Sequence, residues 1–200
     1  MGVGPTALRL YEDLLKRGYF RRGLSVCELG SQDFVPKNYG TLAHCTTDKS
    51  ARGLYEYLGM TPYVCIDLNG EHGALQLDLN SAKWTGESQF DVVTNHGTTE
   101  HVFNQANCFT FMHDVVKLGG LMITVCPSQG YSRHGMYCYG ELLFQELASA
   151  NHYKTIRLYE EDDRFGTLIV AVQQKIVDAA FVVPMQTAYG AAVPGGTSCQ

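Results

Sequence analysis

Four apolar runs in the first half of the chain close on polar or acidic residues: Glu28-Leu29-Gly30, Asp67-Leu68, Asp78-Leu79 and Asn95-His96-Gly97. A short apolar run that ends this way reads as a buried strand delivering its tip to a ligand. Beyond the last tips lie His101, His134 and Tyr137. An imidazole with an ordinary pKa near ~6.5 can take or give a proton in that position. Three acidic tips exclude one chemistry. A pyrophosphate needs the amide donors of a G-x-G-x-x-G loop, and of that pattern only Gly30 is present.

A ligand with hydroxyls, an exocyclic amine and a positive charge, but no phosphate, has the opposite needs. S-adenosylmethionine is such a ligand. Its ribose diol can donate to one carboxylate, which suits Asp67, and its adenine amine to another, which suits Asp78. Its cationic end tolerates Glu28, and Gly30 lets the backbone approach because no Cβ intervenes. Ser31, Leu68, Leu79, Asn95 and Gly97, as neighbours of these tips, complete the expected cofactor site. Seven histidines raise the alternative of a metal. His96 and His101 are five apart, not three or four, and no fixed Cys/His spacing occurs, so none is expected. Glu100-His101 has two readings: a helix start capped by Thr98 or Thr99, or a pair on the acceptor side.

The elements that must hold these residues follow from periodicity. Leu8, Tyr11 and Leu15 predict a helix over 5–18, closed by Gly18. Strands are expected at 24–29, 63–68, 74–79, 90–95, 121–126 (broken by Pro127), 155–160 and 167–174. Helices are expected after Asp48, with Ala51, Leu54, Tyr55 and Leu58 as the stripe, over 100–117 with Phe109, Met112 and Val116, and over 139–151. Strands alternating with helices predict an α/β fold. It is a Rossmann-like open sheet of about seven strands, mostly parallel, with an antiparallel C-terminal hairpin strand and helices on both faces. One domain is expected over 1–175, an N-terminal helix (1–23) and a core (24–175), followed by an arm or linker (176–200) without charge from Ala179 onward.

Composition bounds the partners. Fifteen basic against twenty acidic residues give a net charge of −5, which opposes nucleic-acid binding because phosphate neutralisation needs a basic field. No segment approaches the roughly 18 apolar residues of a membrane span, and no signal core opens the chain. Seven cysteines without a C-x-x-C pair read as core residues of a reducing, cytoplasmic compartment. Oligomeric state is left open.

The segments "CELGS", "CIDLNG", "LDLN", "FDVVTNHGTTEHV" and "KLGGLMITVCP", in this order, resemble the class I S-adenosylmethionine-dependent methyltransferases over roughly 24–175. More narrowly, "TNHGTTEHVFNQANCF" with "GYSRHGMY" resembles a bacterial group of methyltransferase-domain proteins. The resemblance implies that Glu28 and Gly30 frame the methionine end, Asp67 takes the ribose and Asp78 the adenine. The expected function is methyl transfer to a small-molecule or carbohydrate-type acceptor, and by their place after the fourth and fifth strands His101 or His134 is the expected base, with Tyr137 beside them. Two departures stand out: Gln32 occupies the place of the family's second glycine, and Glu28 and Asp67 are thirty-nine positions apart, against roughly 20 for such tips. The loop "SQDFVPKNYGTLAHCTTD" accounts for the excess, as a lid over the cofactor or as the mark of a decayed site. The alternatives are a catalytically idle cofactor- or partner-binding module and a nicotinamide-dependent oxidoreductase.

Overall fold

A computed structural model describes residues 2–35, 41–86 and 89–185. In chain order its elements are β1 (Gly2–Val3), α1 (Pro5–Lys16), β2 (Val26–Leu29), β3 (Asp33–Phe34), α2 (Ala51–Tyr57), β4 (Tyr63–Ile66), β5 (Phe90–His96), α3 (Gln105–Val115), β6 (Val116–Gln129), α4 (Glu141–Asn151), β7 (Lys154–Asp163) and β8 (Gly166–Gln174). Six strands form one sheet in the order β4-β2-β5-β6-β8-β7, and β1 pairs with β3 in a separate two-stranded ribbon. The first four are mutually parallel, while β8 runs antiparallel to both neighbours. From β2 the chain goes outward to β4 and then returns to β5 on the other side. That reversal opens a crevice above the carboxyl ends of β2 and β5.

Each face of the sheet carries its own core. One is built on Leu8, Tyr11 and Leu14 of α1 with Leu54 and Tyr55 of α2; the other on Phe109, Phe111 and Met112 of α3 with Phe144 and Leu147 of α4. Leu8, Leu14 and Leu54 are each at most 1% exposed, and burial of a side chain of this size stabilises by about 1.5–3 kcal/mol. Proline at the first turn of α1 needs no amide partner, and Gly18 past its end takes φ +75°. Strand alternation sends Val26 and Glu28 toward α1 and α2, and Cys27 and Leu29 toward α3 and α4.

Several expected elements take another form. The segment 74–79 is not a seventh strand: only Leu75 bridges Ile66, through Leu75 N to Cys65 O (2.9 Å) and Asp67 N to Leu75 O (3.1 Å). The connection from β4 is too short for a parallel crossover, which takes about a dozen residues. The helix expected over 100–117 begins at Gln105, where the Asn104 side chain accepts from Asn107 N, and a 3-10 turn (Thr99–His101) precedes it. Val116 pairs with Phe90 and so belongs to β6 instead of the helix. Pro127 does not break β6. Pairing with β5 ends at Val125, so beyond it only β8 is a partner, and an edge position tolerates the missing donor. Ser50, not Asp48, precedes α2; Asp48 accepts from Ser50 N and Oγ.

The described part of the C-terminal segment is docked. His113 of α3 bonds the Tyr153 hydroxyl (2.6 Å) and Ala179 O (2.8 Å), while Asn151 exchanges two bonds with the Val182 backbone (3.0 and 2.8 Å). Residues 186–200 of the expected arm, and Cys199 with them, lie outside the described residues. The six described cysteines are free thiols, four of them buried. Among the described residues no helix is long and apolar enough to cross a membrane.

Candidate functional site

The tip of β2 is held by packing that only glycine permits. Gly30 sits at φ +85° and donates from its amide to Ile66 O (2.7 Å). A Cβ there would collide with Thr98 Oγ1 and Gln32 Nε2. Gln32 is 3% exposed and works as a staple: its Nε2 donates to Leu29 O (3.1 Å) and Thr98 Oγ1 (2.8 Å), and Thr98 Oγ1 donates to the same Leu29 O (2.8 Å). A carbonyl can only accept, so the nitrogen of the Gln32 amide must face Leu29. Its oxygen is left buried and, among the described residues, without a donor. Gln32 in the glycine's place thus ties the first tip to the fourth.

Above these tips lies a cavity of about 470 Å³. Its wall includes Ser31, Asp67, Leu68, Asp78, Leu79, Gly97 and His101 among the expected site residues, and also Gln32, Asp33, Glu71 and Thr98. Asp67 accepts Ser31 N at Oδ2 (2.7 Å) and Asn69 N at Oδ1 (3.1 Å), so each oxygen keeps a lone pair free. Asp78 accepts from Asn80 N and Nδ2 (both 2.9 Å), which hold its carboxyl below the ordinary range. Asn80 in turn receives the Asn104 amide (3.1 Å), coupling this tip to the start of α3. Four carboxylates line the cavity, and among the described residues no lysine or arginine does.

Three expected contacts are corrected: Gly30 lies off the cavity wall because Thr98 and Gln32 fill the space beside it, and Glu28 and Asn95 are buried below it. Glu28 is fully buried beneath the tip on the α1/α2 face, away from the cavity wall, because β2 alternates and that face carries three tyrosines. Tyr63 donates to its Oε2 (2.5 Å) and Tyr55 to its Oε1 (3.1 Å); burial pushes its carboxyl up to about 8. The hydroxyls of Tyr55 and Tyr11 lie 2.6 Å apart, and Tyr11 reaches His96 Nε2 at 2.7 Å, so a single row of polar atoms runs from Glu28 to the end of β5. Burial holds His96 down to about 3, hence neutral, with Nδ1 unpartnered among the described residues. Asn95 is likewise fully buried and caps the following turn: its Oδ1 accepts Thr98 N (3.3 Å) and Thr99 N (3.2 Å), and its Nδ2 donates to Thr99 Oγ1 (2.8 Å).

The acceptor-side residues converge on a group that sequence reading left as a choice between two roles. Glu100, in the turn after β5, is fully buried, with His101 Nε2 and His134 Nε2 each 3.7 Å from its Oε1. Burial pushes its carboxyl up to about 7, and burial together with His134 lowers the His101 imidazole. The loop carrying His134 is clamped to the turn: Met136 N (2.8 Å) and Tyr137 N (3.2 Å) donate to Glu100 O, and the Tyr139 hydroxyl reaches Thr99 Oγ1 (3.0 Å) and Gln105 Oε1 (2.7 Å). The Tyr137 hydroxyl donates to Phe103 O (3.0 Å), so its described role is to hold this loop. The long loop after Gly30 is tied down where it is described, through β3, buried Leu42 and Thr41 N to Glu12 Oε1 (2.7 Å); residues 36–40 lie outside the described residues.

Neither a protein-family model nor a curated protein matches the chain. Solved structures do. One is 1,6-didemethyltoxoflavin-N1-methyltransferase of Burkholderia thailandensis with bound 1,6-didemethyltoxoflavin and S-adenosylhomocysteine: TM-score 0.59, 13% identity, 86% of this chain and 80% of that one. Another is magnesium protoporphyrin IX methyltransferase of Synechocystis PCC 6803 with bound SAH: TM-score 0.56, 12% identity, 84% and 80%. A cyclase, SpnF, matches at TM-score 0.58 and 13% identity over 86% and 82%. The chain therefore has the Rossmann-like fold of class I methyltransferases, a fold that also carries a cyclase and so does not by itself name a reaction.

Proposed function

We propose that the chain binds S-adenosylmethionine in the cavity over the β2, β4 and β5 tips and transfers its methyl group to a small-molecule or carbohydrate-type acceptor. The observation that carries this reading is the wall itself: among the described residues Asp33, Asp67, Glu71 and Asp78 line it without lysine or arginine, and one buried amide oxygen, on Gln32, has no donor. Such a wall repels a pyrophosphate and suits a cationic ligand rich in hydroxyl and amine donors. The two methyltransferases of the same fold with bound S-adenosylhomocysteine support the reading. Asp67, with a free lone pair on each oxygen, would take the ribose hydroxyls. Asp78 would take the adenine amine, and Gln32 Oε1 an ammonium proton. Gly97, on the cavity wall, presents backbone there without a side chain. When bound, the group supplies an electrophilic methyl carbon. The chain aligns the acceptor with that carbon and excludes water with Ile66, Leu77, Leu79 and Val102, all on the cavity wall. His101 on the same wall, with His134 beside it, marks the acceptor side.

Isothermal titration with S-adenosylhomocysteine, with NADH as control, tests the proposal. Binding of the first and not the second is expected. Asp67→Ala should weaken it tenfold or more, the equivalent of charge-assisted bonds worth about 1.5–3 kcal/mol. No binding of S-adenosylhomocysteine overturns the reading, and unchanged affinity in a folded Asp67→Ala protein overturns the ribose assignment.

A further inference from the structure

The Glu100 carboxyl is fully buried, and among the described residues no side-chain nitrogen or oxygen donates to either of its oxygens. The Cys126 thiol, a weak donor, is shared between Asn95 O (3.8 Å) and the Glu100 carboxyl. A buried carboxyl with no stronger side-chain partner than a thiol is costly, and it offers a place for something else to bind. Two imidazole nitrogens, His101 Nε2 and His134 Nε2, approach Oε1 from two different segments, each at 3.7 Å. That is too long for a hydrogen bond. It is close to the roughly 3.4 Å that separates ligand atoms placed about 2.0–2.1 Å from a shared tetrahedral centre. One ligand atom from each of the three residues lies within 4.8 Å of the others.

We propose that Glu100, His101 and His134 bind one divalent transition-metal cation of the zinc class. Two imidazoles and one carboxylate favour zinc, iron, cobalt or nickel over calcium and magnesium, which take oxygen ligands. The frame is built for a fixed donor set. A Cβ on Gly135 would come within 2.8 Å of Glu100 Cγ and 3.0 Å of Glu100 O, so glycine lets the His134 loop close on the carboxylate. The Met136 and Tyr137 amides hold that loop on the Glu100 carbonyl. Three protein ligands leave a position open, and His101 also lines the 470 Å³ cavity. Metal binding itself does not depend on the methyltransferase reading; the role that follows does rest on it. The cation would take the hydroxyl oxygen of the acceptor and release its proton to solvent. The oxygen then bonds to the methyl carbon while the carbon–sulfur pair stays on sulfur.

The test uses chelator-treated full-length protein titrated with Co²⁺ and followed by visible absorption, then with Zn²⁺ in competition. One equivalent of Co²⁺ should bind saturably and be displaced by one equivalent of Zn²⁺. His134→Ala, at a partly exposed loop position, and Glu100→Gln should each weaken binding about a hundredfold. His44→Ala, in a separate turn, should leave binding unchanged. Absent saturable binding, or equal affinity in His134→Ala with its circular dichroism intact, overturns the site even if Glu100→Gln does not fold. S-adenosylhomocysteine titrated into the same metal-free protein separates the two ideas. Its binding keeps the cofactor reading whatever the metal result, and metal binding without it keeps the metal site alone.

Discussion

Glu28 makes the stability of the chain depend on pH in an unusual direction. Its carboxyl has an ordinary value of 4.5 when the chain is unfolded and about 8 in the fold, because desolvation outweighs the bonds from Tyr63, Tyr55 and Thr94. The groups facing it are Tyr11 from α1, Tyr55 from α2, Tyr63 from β4 and Thr94 from β5. Among these no cation offsets its charge. Since the folded state holds the proton more tightly, this stabilisation is complete below pH 4.5 and is lost as pH rises toward about 8. At about 1.4 kcal/mol per pH unit, the interval corresponds to a ceiling of roughly 5 kcal/mol. Glu28→Gln is the matched perturbation. Its amide oxygen accepts from Tyr63, and its nitrogen faces the Tyr55 hydroxyl, whose proton then turns from Glu28 to Thr94 Oγ1; the side chain cannot ionise. Urea unfolding followed by circular dichroism at pH 5, 6, 7 and 8 should show the wild type losing stability relative to the variant at each step. All other titrating groups cancel in the difference. A constant difference across this range refutes the assignment of a neutral Glu28.

Gly30→Ala should lower stability by roughly 2–4 kcal/mol, from a left-handed backbone and collision with Thr98 and Gln32. Thermal unfolding should record this as a Tm drop of about 4–16 °C, and a drop under 2 °C would mean the tip relaxes freely. Asn151→Ala removes both bonds to the Val182 backbone, worth about 1–3 kcal/mol together, and should free that segment without unfolding the sheet. Amide exchange at Val182 should accelerate while exchange at Val170 in β8 stays slow; parallel acceleration of both would show a global effect.

The tips of the sheet were legible because a buried parallel strand is apolar throughout and ends abruptly. That same uniformity hid Glu28. In a strand buried on both faces no polar alternation tells which way a residue points, so a carboxylate four places from the strand start reads as a tip when it belongs to the face below. Segment 74–79 misled in the opposite sense: it alternates like a strand, but the short connection from β4 confines it to a single bridge. Glu100 and His134 lie far apart in sequence, and a loop clamp, not a spacing, brings them together, so no helical or strand period could announce them. Gln32 read as a missing glycine because a motif records what is absent. Its amide supplies by hydrogen bonds what the backbone of a glycine supplies by freedom.

The place of β8 between β6 and β7 governs how the chain comes off the ribosome. β6 is complete at Gln129, yet its neighbour on the open side is finished only at Gln174, about 45 residues later. At synthesis rates of about 5–20 residues per second, the nascent chain carries a bare β6 edge for roughly 2–9 s. That edge includes Leu121–Cys126, an apolar, β-branched stretch of the kind that recruits a second chain when left unpaired. β7 cannot cover it, since β7 reaches the sheet only through β8. Among the described residues the last strand made is therefore the one that closes the sheet, and a chain ending before Gly166 would carry α1 through β7 with its central edge permanently exposed.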